Sequence, residues 1–114
     1  MTRIYKIITR GAWSEAQAAG FFEGSAKDLE DGFIHLSTAA QAGETARLHF
    51  HGQADLVLLE LDADDFDQTL RWEPSRGGQL FPHLFAPLPA ASVKAVHDLL
   101  LGPDGAPRVP ALQP

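Results

Sequence analysis

The segment DGFIHLST, residues 31–38, places a histidine inside an apolar strand pattern and follows it with two hydroxyl residues. If Ile34 and Leu36 point to one face of a strand, His35 points to the other. An imidazole there can pin the backbone by hydrogen bonds, act as a general base or bind a metal. His35 is therefore a candidate for chemistry, with a purely structural histidine as the alternative.

Ser37 and Thr38 lie at the predicted junction between this strand and a helix. Free backbone N–H groups at a helix N-terminus suit a phosphate or a carboxylate. Thr38 and Gln41 match a capping box, which already uses the threonine hydroxyl. Ser37 is therefore the better candidate for contacting a ligand.

Arg71-Trp72-Glu73 places an aromatic residue between opposite charges. Strand alternation sends Arg71 and Glu73 to one face, where an ion pair explains them, and Trp72 to the other. A carboxylate held by an arginine beside a tryptophan could also polarise a ribose hydroxyl. Glu60 raises a similar question, because a carboxylate in a buried strand needs a cation or water.

Three more histidines accompany these residues. His83 lies in FPHLF, where Pro82 predicts an irregular or edge segment that could wall a pocket together with Phe81. His49 and His51 have metal-pair spacing only if both lie on a strand. The predicted helix places His49 near its C-terminal end, where the dipole favours a cation, so no metal site is predicted.

The elements that must position these side chains follow from apolar periodicity and turn residues. The pattern predicts a loop over Phe22 to Glu30 and an extended edge segment over Leu80 to Phe85. The residues from Ser92 to Leu101 fit either a helix or a strand, and we predict a strand there. The predicted strands are Ile4–Thr9, Phe33–Leu36, Leu56–Leu61 and Leu70–Glu73. The predicted helices are Trp13–Ala19 and Ala39–Phe50, and Glu15 lies in the first turn of the earlier one. Leu56–Leu61 is the most apolar run and reads as a central strand. The order favours an α+β fold with a largely antiparallel sheet.

Length and composition narrow the function classes. We expect one domain over residues 1–101 and a Pro/Gly-rich tail over 102–114. The chain has no cysteine, which excludes thiol chemistry, and a net charge of −6 without a basic run, which argues against nucleic acid. The absence of a signal-peptide pattern or an apolar span predicts a cytoplasmic protein without a membrane partner. No hydrolase, P-loop or Rossmann motif occurs.

Five segments, in this order and spacing, together resemble the bacterial domain of unknown function family 952: IYKIITRGAW, DGFIHLST, DLVLLELD, RWEP and LFPHLFAPL. The resemblance covers residues 4 to about 97. That family looks related in fold to the ADP-ribosyltransferase superfamily. The resemblance implies an ADP-ribosylation-like fold of two small, mostly antiparallel sheets with NAD held between them, a short early helix and a longer middle helix.

The resemblance also implies roles for individual residues. Lys6 stands where the family's first motif has a histidine; it keeps a donor for a ribose but loses the imidazole acceptor. Ser37 and Thr38 are similar to the superfamily motif that lines the nicotinamide pocket. Glu73 takes the place of the catalytic glutamate, with Glu60 second.

These observations lead to two functional hypotheses. In the first, a cleft binds NAD or a related nucleotide and the protein acts as a transferase. His35 and Glu73 are its catalytic residues, and its ligand-binding residues are Lys6, Ser37, Thr38, Arg71, Trp72, Phe81 and His83. The alternative is a non-catalytic ligand-sensing or interaction module, which Lys6 in place of the first-motif histidine would suit. RNA phosphate transfer ranks last because the chain is acidic.

Overall fold

A computed structural model of the protein describes residues 2–114, so Met1 of the predicted domain lies outside the described residues. Its helices are α1 (Arg10–Ala19), α2 (Ala26–Asp31) and α3 (Ala39–His49), with 3-10 turns at 63–66, 76–78 and 90–92. The strands are β1 (Arg3–Thr9), β2 (Phe21–Phe22), β3 (Ile34–His35), β4 (Ser37–Thr38), β5 (Leu56–Asp62), β6 (Leu70–Pro74), β7 (Leu80–Leu84), β8 (Leu88–Pro89), β9 (Ala95–Leu101) and β10 (Pro107–Arg108).

All strand pairs in the described residues are antiparallel. Five strands form one sheet in the order β10-β9-β5-β1-β4, three form a second in the order β3-β7-β6, and β2 pairs with β8. The α+β class and the antiparallel pairing are confirmed, although the strands form three sheets rather than the expected two. β5 lies in the middle of the large sheet, as its continuous apolar run predicted.

Two apolar clusters cover the two faces of the large sheet. Ile4, Ile8 and Leu59 belong to the larger cluster, and Tyr5 and Leu58 belong to the smaller one. Both faces of β1 and β5 are therefore buried, which accounts for the lack of alternation in their sequences.

β1 separates from its outer neighbour soon after it begins. It pairs with β5 from Arg3 to Thr9 but with β4 only at Ile4 and Tyr5. In an antiparallel strand, alternate residues direct their backbone N–H and C=O groups to opposite sides. The outer edge of β1 beyond Tyr5 therefore offers backbone groups that the sheet does not use.

Helix α1 begins earlier than expected and ends where expected. Thr9 caps it by accepting a hydrogen bond from the Ala12 backbone N–H at 3.1 Å, so the helix starts at Arg10 rather than Trp13. Glu15 consequently lies in the second turn and not in the first. Gly20 ends the helix with a φ of 92°, a conformation that favours glycine.

Helix α2 replaces a segment that the sequence pattern predicted as a loop. Ser25 caps it by accepting from the Asp28 N–H at 3.3 Å, and Asp28 accepts from the Ser25 N–H at 2.9 Å. Gly32 ends it in the left-handed region. The loop prediction was wrong because a six-residue helix is too short to show a clear apolar stripe.

Helix α3 confirms the predicted capping box. Thr38 accepts from the Gln41 N–H at 3.3 Å and donates its own backbone N–H to the Gln41 side chain at 3.1 Å. Ala42 and Ala46, four residues apart on one face of the helix, are fully buried. The helix ends at His49, one residue before the predicted end.

β7 is not the irregular edge that Pro82 suggested, because it lies between β3 and β6. The Pro82 carbonyl accepts from the Leu36 N–H at 3.0 Å. In an antiparallel strand both backbone groups of one residue face the same neighbour, so the missing N–H also faces β3. β3 pairs with β7 only through His83 and Leu84, so the proline removes no ladder bond.

The chain beyond β9 packs onto the domain. β9 confirms the strand predicted within Ser92 to Leu101, and β10 pairs with it. Val109 and Leu112 pack against the smaller apolar cluster, and the Tyr5 hydroxyl donates to the Gln113 carbonyl at 2.6 Å. None of the helices in residues 2–114 is long and apolar enough to cross a membrane.

Candidate functional site

A cleft of about 880 Å³ opens beside the free edge of β1. The three-stranded sheet, α2, α3 and the turn at 76–78 enclose its other sides. Its polar lining side chains include Lys6, Lys27, Asp28, Asp31, His35, Ser37, Thr45, His49, Arg76 and His83. The separation of β1 from β4 thus creates the space in which most candidate residues of the sequence analysis meet.

Asp28 is the centre of a hydrogen-bonded charge network. Its side chain is buried, and its Oδ2 lies 2.9 Å from the Lys6 Nζ, which is buried as well. Its Oδ1 accepts from the backbone N–H of His35 at 3.1 Å and lies 2.6 Å from the His35 Nδ1. Asp28 therefore ties α2 to β1 and β3 at once.

The environment keeps Asp28 ionised. Burial acts to raise the pKa of Asp28, but the His35 hydrogen bond, the Lys6 charge and backbone N–H donors outweigh it and lower the pKa well below its ordinary range. Burial lowers the pKa of Lys6, and the Asp28 carboxylate opposes that shift. The pair persists because each ion is compensated by the other.

His35 uses both ring nitrogens. Its Nδ1 bonds Asp28, and its Nε2 lies 2.9 Å from an Asp31 carboxylate oxygen. A histidine donates to two carboxylates only when both nitrogens carry a proton. Both ring nitrogens of His35 are therefore engaged by carboxylates of α2.

His83 links the two predicted catalytic residues. It pairs across the sheet with His35, with ring centroids 5.6 Å apart, and its Nδ1 lies 2.8 Å from a Glu73 carboxylate oxygen. The ring is buried and stacks on Phe33 at 4.1 Å. Glu73 itself is not among the lining residues, so it reaches the cleft through His83.

A second polar group, centred on Arg76, lines the same cleft. The Arg76 guanidinium stacks over the Phe81 ring at 4.9 Å and donates to the Thr45 hydroxyl at 3.3 Å and to the His49 Nε2 at 3.4 Å. Thr45 also hydrogen-bonds the Ser37 hydroxyl at 3.1 Å. Within the part of the chain that the structure describes, no carboxylate lies within ion-pair distance of Arg76.

His49 behaves differently from the expectation at a helix C-terminus. Burial lowers the pKa of His49, and the charges of Arg76, His35 and Lys27 lower it further. The prediction that the helix dipole would favour a cation there was wrong, because burial and, after it, three nearby positive groups lower the pKa of His49.

The structure brings several predicted site residues together and separates others. Lys6, His35, Ser37, Phe81 and His83 line the cleft, and their contact with a ligand stays a prediction. Thr38 caps α3 beside it.

The RWE segment lies mostly outside the cleft. Arg71 stacks on Phe85 at 5.1 Å, and Trp72 is exposed. Among the described residues Glu73 pairs with His83, and the simple Arg71–Glu73 ion pair does not form. Neither Arg71 nor Trp72 lines the cleft, and their ligand-binding roles stay predictions.

The remaining candidates serve other contacts. Glu60 lies 3.4 Å from the Arg3 Nε and 3.1 Å from the His97 Nε2, outside the cleft. His51 lies in a turn and hydrogen-bonds the Asp104 carbonyl, away from His49. No group of three or more metal-ligating residues within residues 2–114 has an arrangement that could hold a metal ion.

Sequence reasoning missed Asp28, Thr45 and Arg76. The Ser25-x-x-Asp28 spacing is a capping-box pattern and could have located Asp28. Arg76 precedes Gly77-Gly78, and the turn that aims it at the cleft uses a positive φ at both glycines. Thr45 carried no local pattern that distinguishes it from an exposed helix residue.

Comparison with known proteins places this arrangement in a family. The family described as "Protein of unknown function (DUF952)" matches residues 7–96. The crystal structure of protein CC0527 from Caulobacter crescentus is 54% identical, superposes with a TM-score of 0.92 and covers 94% of each chain. The solution NMR structure of CC0527 is 55% identical, with a TM-score of 0.85 and coverage of 95% of this chain and 93% of that one. No curated protein matches the chain.

Proposed function

The chain belongs to the DUF952 family of unknown function, and for this member we propose that the cleft binds a small organic anion. The observation that carries the proposal is Arg76, a guanidinium that faces the cleft and contacts only a hydroxyl, an imidazole and an aromatic ring in the described residues. A guanidinium in such a position is suited to a carboxylate or a phosphate, which it can hold by two parallel hydrogen bonds.

The charge of the cleft supports this proposal. Three lysine or arginine side chains and two carboxylates line it, so it has one positive charge in excess, whereas the whole chain carries −6. A concave site of opposite sign to the rest of the molecule concentrates ions of the complementary charge.

The size and surface of the cleft favour an organic ligand rather than a bare ion. Its volume of about 880 Å³ lies in the range typical of small-molecule sites. Phe22 and Phe81 offer apolar surface to a ring, while the free edge of β1 and the Ser37 hydroxyl offer hydrogen bonds. Such a combination suits a ligand with an apolar or aromatic part and an anionic group.

NAD and related nucleotides, the ligands implied by a resemblance to the ADP-ribosyltransferase superfamily, are members of this ligand class. A transferase role is the second candidate function, and the His83–Glu73 pair supports it. When Glu73 accepts from the Nδ1–H, the lone pair of neutral His83 lies on Nε2, as in a base oriented by a carboxylate.

Isothermal titration with NAD, ADP-ribose, citrate and phenyl phosphate tests the binding proposal. We expect at least one of them to bind, and Arg76→Gln to weaken that binding about tenfold or more, because a charge-assisted hydrogen bond is lost. Arg47→Gln is the control, since Arg47 pairs with Glu44 on the exposed surface of α3 and does not line the cleft. Equal affinities of the two variants, or no binding to the folded wild type, would contradict the proposal.

A further inference from the structure

We propose that the anionic group of the ligand is a dianion of the phosphate-monoester type, held between Arg76 and His49, and that it binds together with a proton on His49. This inference rests on the proposed function and specifies the ligand class and the protonation state of the site.

The geometry defines the state of His49 before a ligand binds. Arginine has no acceptor, so the 3.4 Å contact between the Arg76 Nη1 and the His49 Nε2 requires a lone pair on that nitrogen. His49 is therefore neutral in this arrangement. The contact is long for a hydrogen bond, so oxygens of an incoming anion can replace it with shorter, charge-assisted ones.

Burial is the first reason why His49 is neutral, and the charged groups around it are the second. Arg76 from the turn at 76–78, Lys27 from α2 and His35 from β3 all act on it with positive charge. The carboxylates that line the same cleft, Asp28 and Asp31, are engaged by Lys6 and His35, with Lys27 3.6 Å from Asp31. On α3 itself the cleft-lining neighbour is Thr45, which is uncharged.

A bound anion reverses this balance. A monoanion is neutralised by Arg76 alone and leaves His49 without a negative partner. A dianion keeps one negative charge that Arg76 does not neutralise, and this charge lies beside the His49 Nε2. A negative charge next to an imidazole favours its protonated form. The site thus supplies its second positive charge only when a doubly charged group arrives, which favours a phosphate monoester over a carboxylate.

Hydroxyl groups complete the proposed subsite. Thr45 lies 3.3 Å from the Arg76 Nη2 and 3.1 Å from the buried Ser37 hydroxyl, so two further hydrogen-bonding groups lie next to each other beside Arg76. Tetrahedral oxyanions present more acceptor positions than a planar carboxylate and can use such a set.

Calorimetric titration of the full chain with sulfate tests the proton uptake, because sulfate stays dianionic near neutral pH and contributes no proton of its own. The titration is repeated at about pH 7, near the ordinary titration range of histidine, in buffers that differ in ionisation enthalpy. We expect the heats to show uptake of a fraction of a proton by the wild type. His49→Gln should bind sulfate more weakly and show no uptake, and His97→Gln, a histidine bound to Glu60 outside the cleft, should behave like the wild type.

A second titration compares phenyl phosphate with benzoate, and we expect phenyl phosphate to bind about tenfold or more tightly, as for the gain of a charge-assisted contact. Sulfate binding without proton uptake, or uptake that persists in His49→Gln, would overturn the inference. Tighter binding of benzoate, still weakened by Arg76→Gln, would also overturn it while leaving the proposed function intact. If none of these anions bound while NAD, ADP-ribose or citrate did, the inference would fail and the proposed function would stand; if no anion of either set bound, both would fail.

Discussion

Asp28 shows how one residue can organise a site. The same carboxylate caps α2, neutralises Lys6 and holds His35 through two hydrogen bonds. Removing one member of a buried ion pair leaves the other charge without compensation, which is far more costly than the net value of the pair itself. The Lys6–Asp28 contact is therefore a sensitive point for both the stability of the fold and the geometry of the cleft.

We expect Asp28→Asn to lower the free energy of unfolding by about 3–5 kcal/mol at neutral pH, because Lys6 would stay buried without its anion. Asp65→Asn is the control, since Asp65 pairs with Lys94 in an exposed ion pair and should change stability by less than about 1 kcal/mol. Urea unfolding of both variants measures the difference. Similar losses in the two variants would contradict the assignment of a special role to Asp28.

The pH dependence of the wild type follows from the same residue. The folded-state pKa of Asp28 is lower than that of the unfolded chain, so the folded state gains stability wherever the carboxylate is ionised in both states. This contribution is complete above the ordinary aspartate value of about 4 and declines as the pH falls further. The curve of unfolding free energy against pH should therefore be steeper below about pH 4 in the wild type than in Asp28→Asn.

The sequence alone identified some residues of the candidate site and missed others. His35 and Ser37 stood out because a polar group interrupted or ended an apolar strand. Asp28 did not, because an aspartate among exposed helix residues looks like any solvated carboxylate. Its importance comes from Lys6, which is distant in the sequence and becomes its partner only when α2 packs on β1.

Helix α2 is an element that depends on its caps and on contacts with other parts of the chain. A helix of six residues has no stability of its own in water, because nucleation is unfavourable and few bonds follow. Its caps and the contacts of Asp28 hold it over the cleft. Gly24 and Gly32 flank it with φ values of 123° and 86°, which lets the chain turn sharply on both sides.

Replacing the cap should loosen this element in particular. We expect Ser25→Ala to reduce the free energy of unfolding by about 1 kcal/mol, because the Asp28 N–H loses its acceptor. Amide hydrogen exchange should accelerate over residues 26–31 more than elsewhere. Ser14→Ala, on the exposed side of α1, should leave exchange in that segment unchanged; equal effects of the two variants would contradict the prediction.

Local patterns predicted elements well where the determining contacts are local. The apolar run of β5 and the capping box of α3 both lie within a few residues, and both predictions were confirmed. β7 was misplaced because the tolerance of Pro82 depends on where β3 ends, at His35, which is distant from Pro82 in the sequence. The end of the β3–β7 pairing is determined by the folded sheet and not by the residues next to Pro82.

The whole molecule depends on its C-terminal residues more than their composition suggested. Pro and Gly predicted an extended tail, yet β10 adds a strand to the large sheet, and Val109 and Leu112 cover the smaller apolar cluster. Because the segment lacks periodicity, its packing could not be read from its own pattern. The contacts come from Tyr5 and from the face of the sheet that the smaller cluster occupies.

We expect deletion of residues 109–114 to lower the free energy of unfolding by about 2–4 kcal/mol, through lost apolar burial and the lost Tyr5–Gln113 hydrogen bond. Removal of Pro114 alone is the control and should have little effect, because the Gln113 carbonyl is kept. Urea and thermal unfolding measure both forms. A shortened chain as stable as the full one would show that these contacts contribute nothing.

The position of α2 between two glycines also bears on how this segment can be exchanged between homologues. The segment from Gly24 to Gly32 is short and contributes no strand to the large sheet. Grafting the corresponding segment from one homologue onto another would replace one wall of the cleft while the strand register stayed the same. A graft that preserves the fold must retain Asp28, because Lys6 of β1 is buried beside it and depends on its charge.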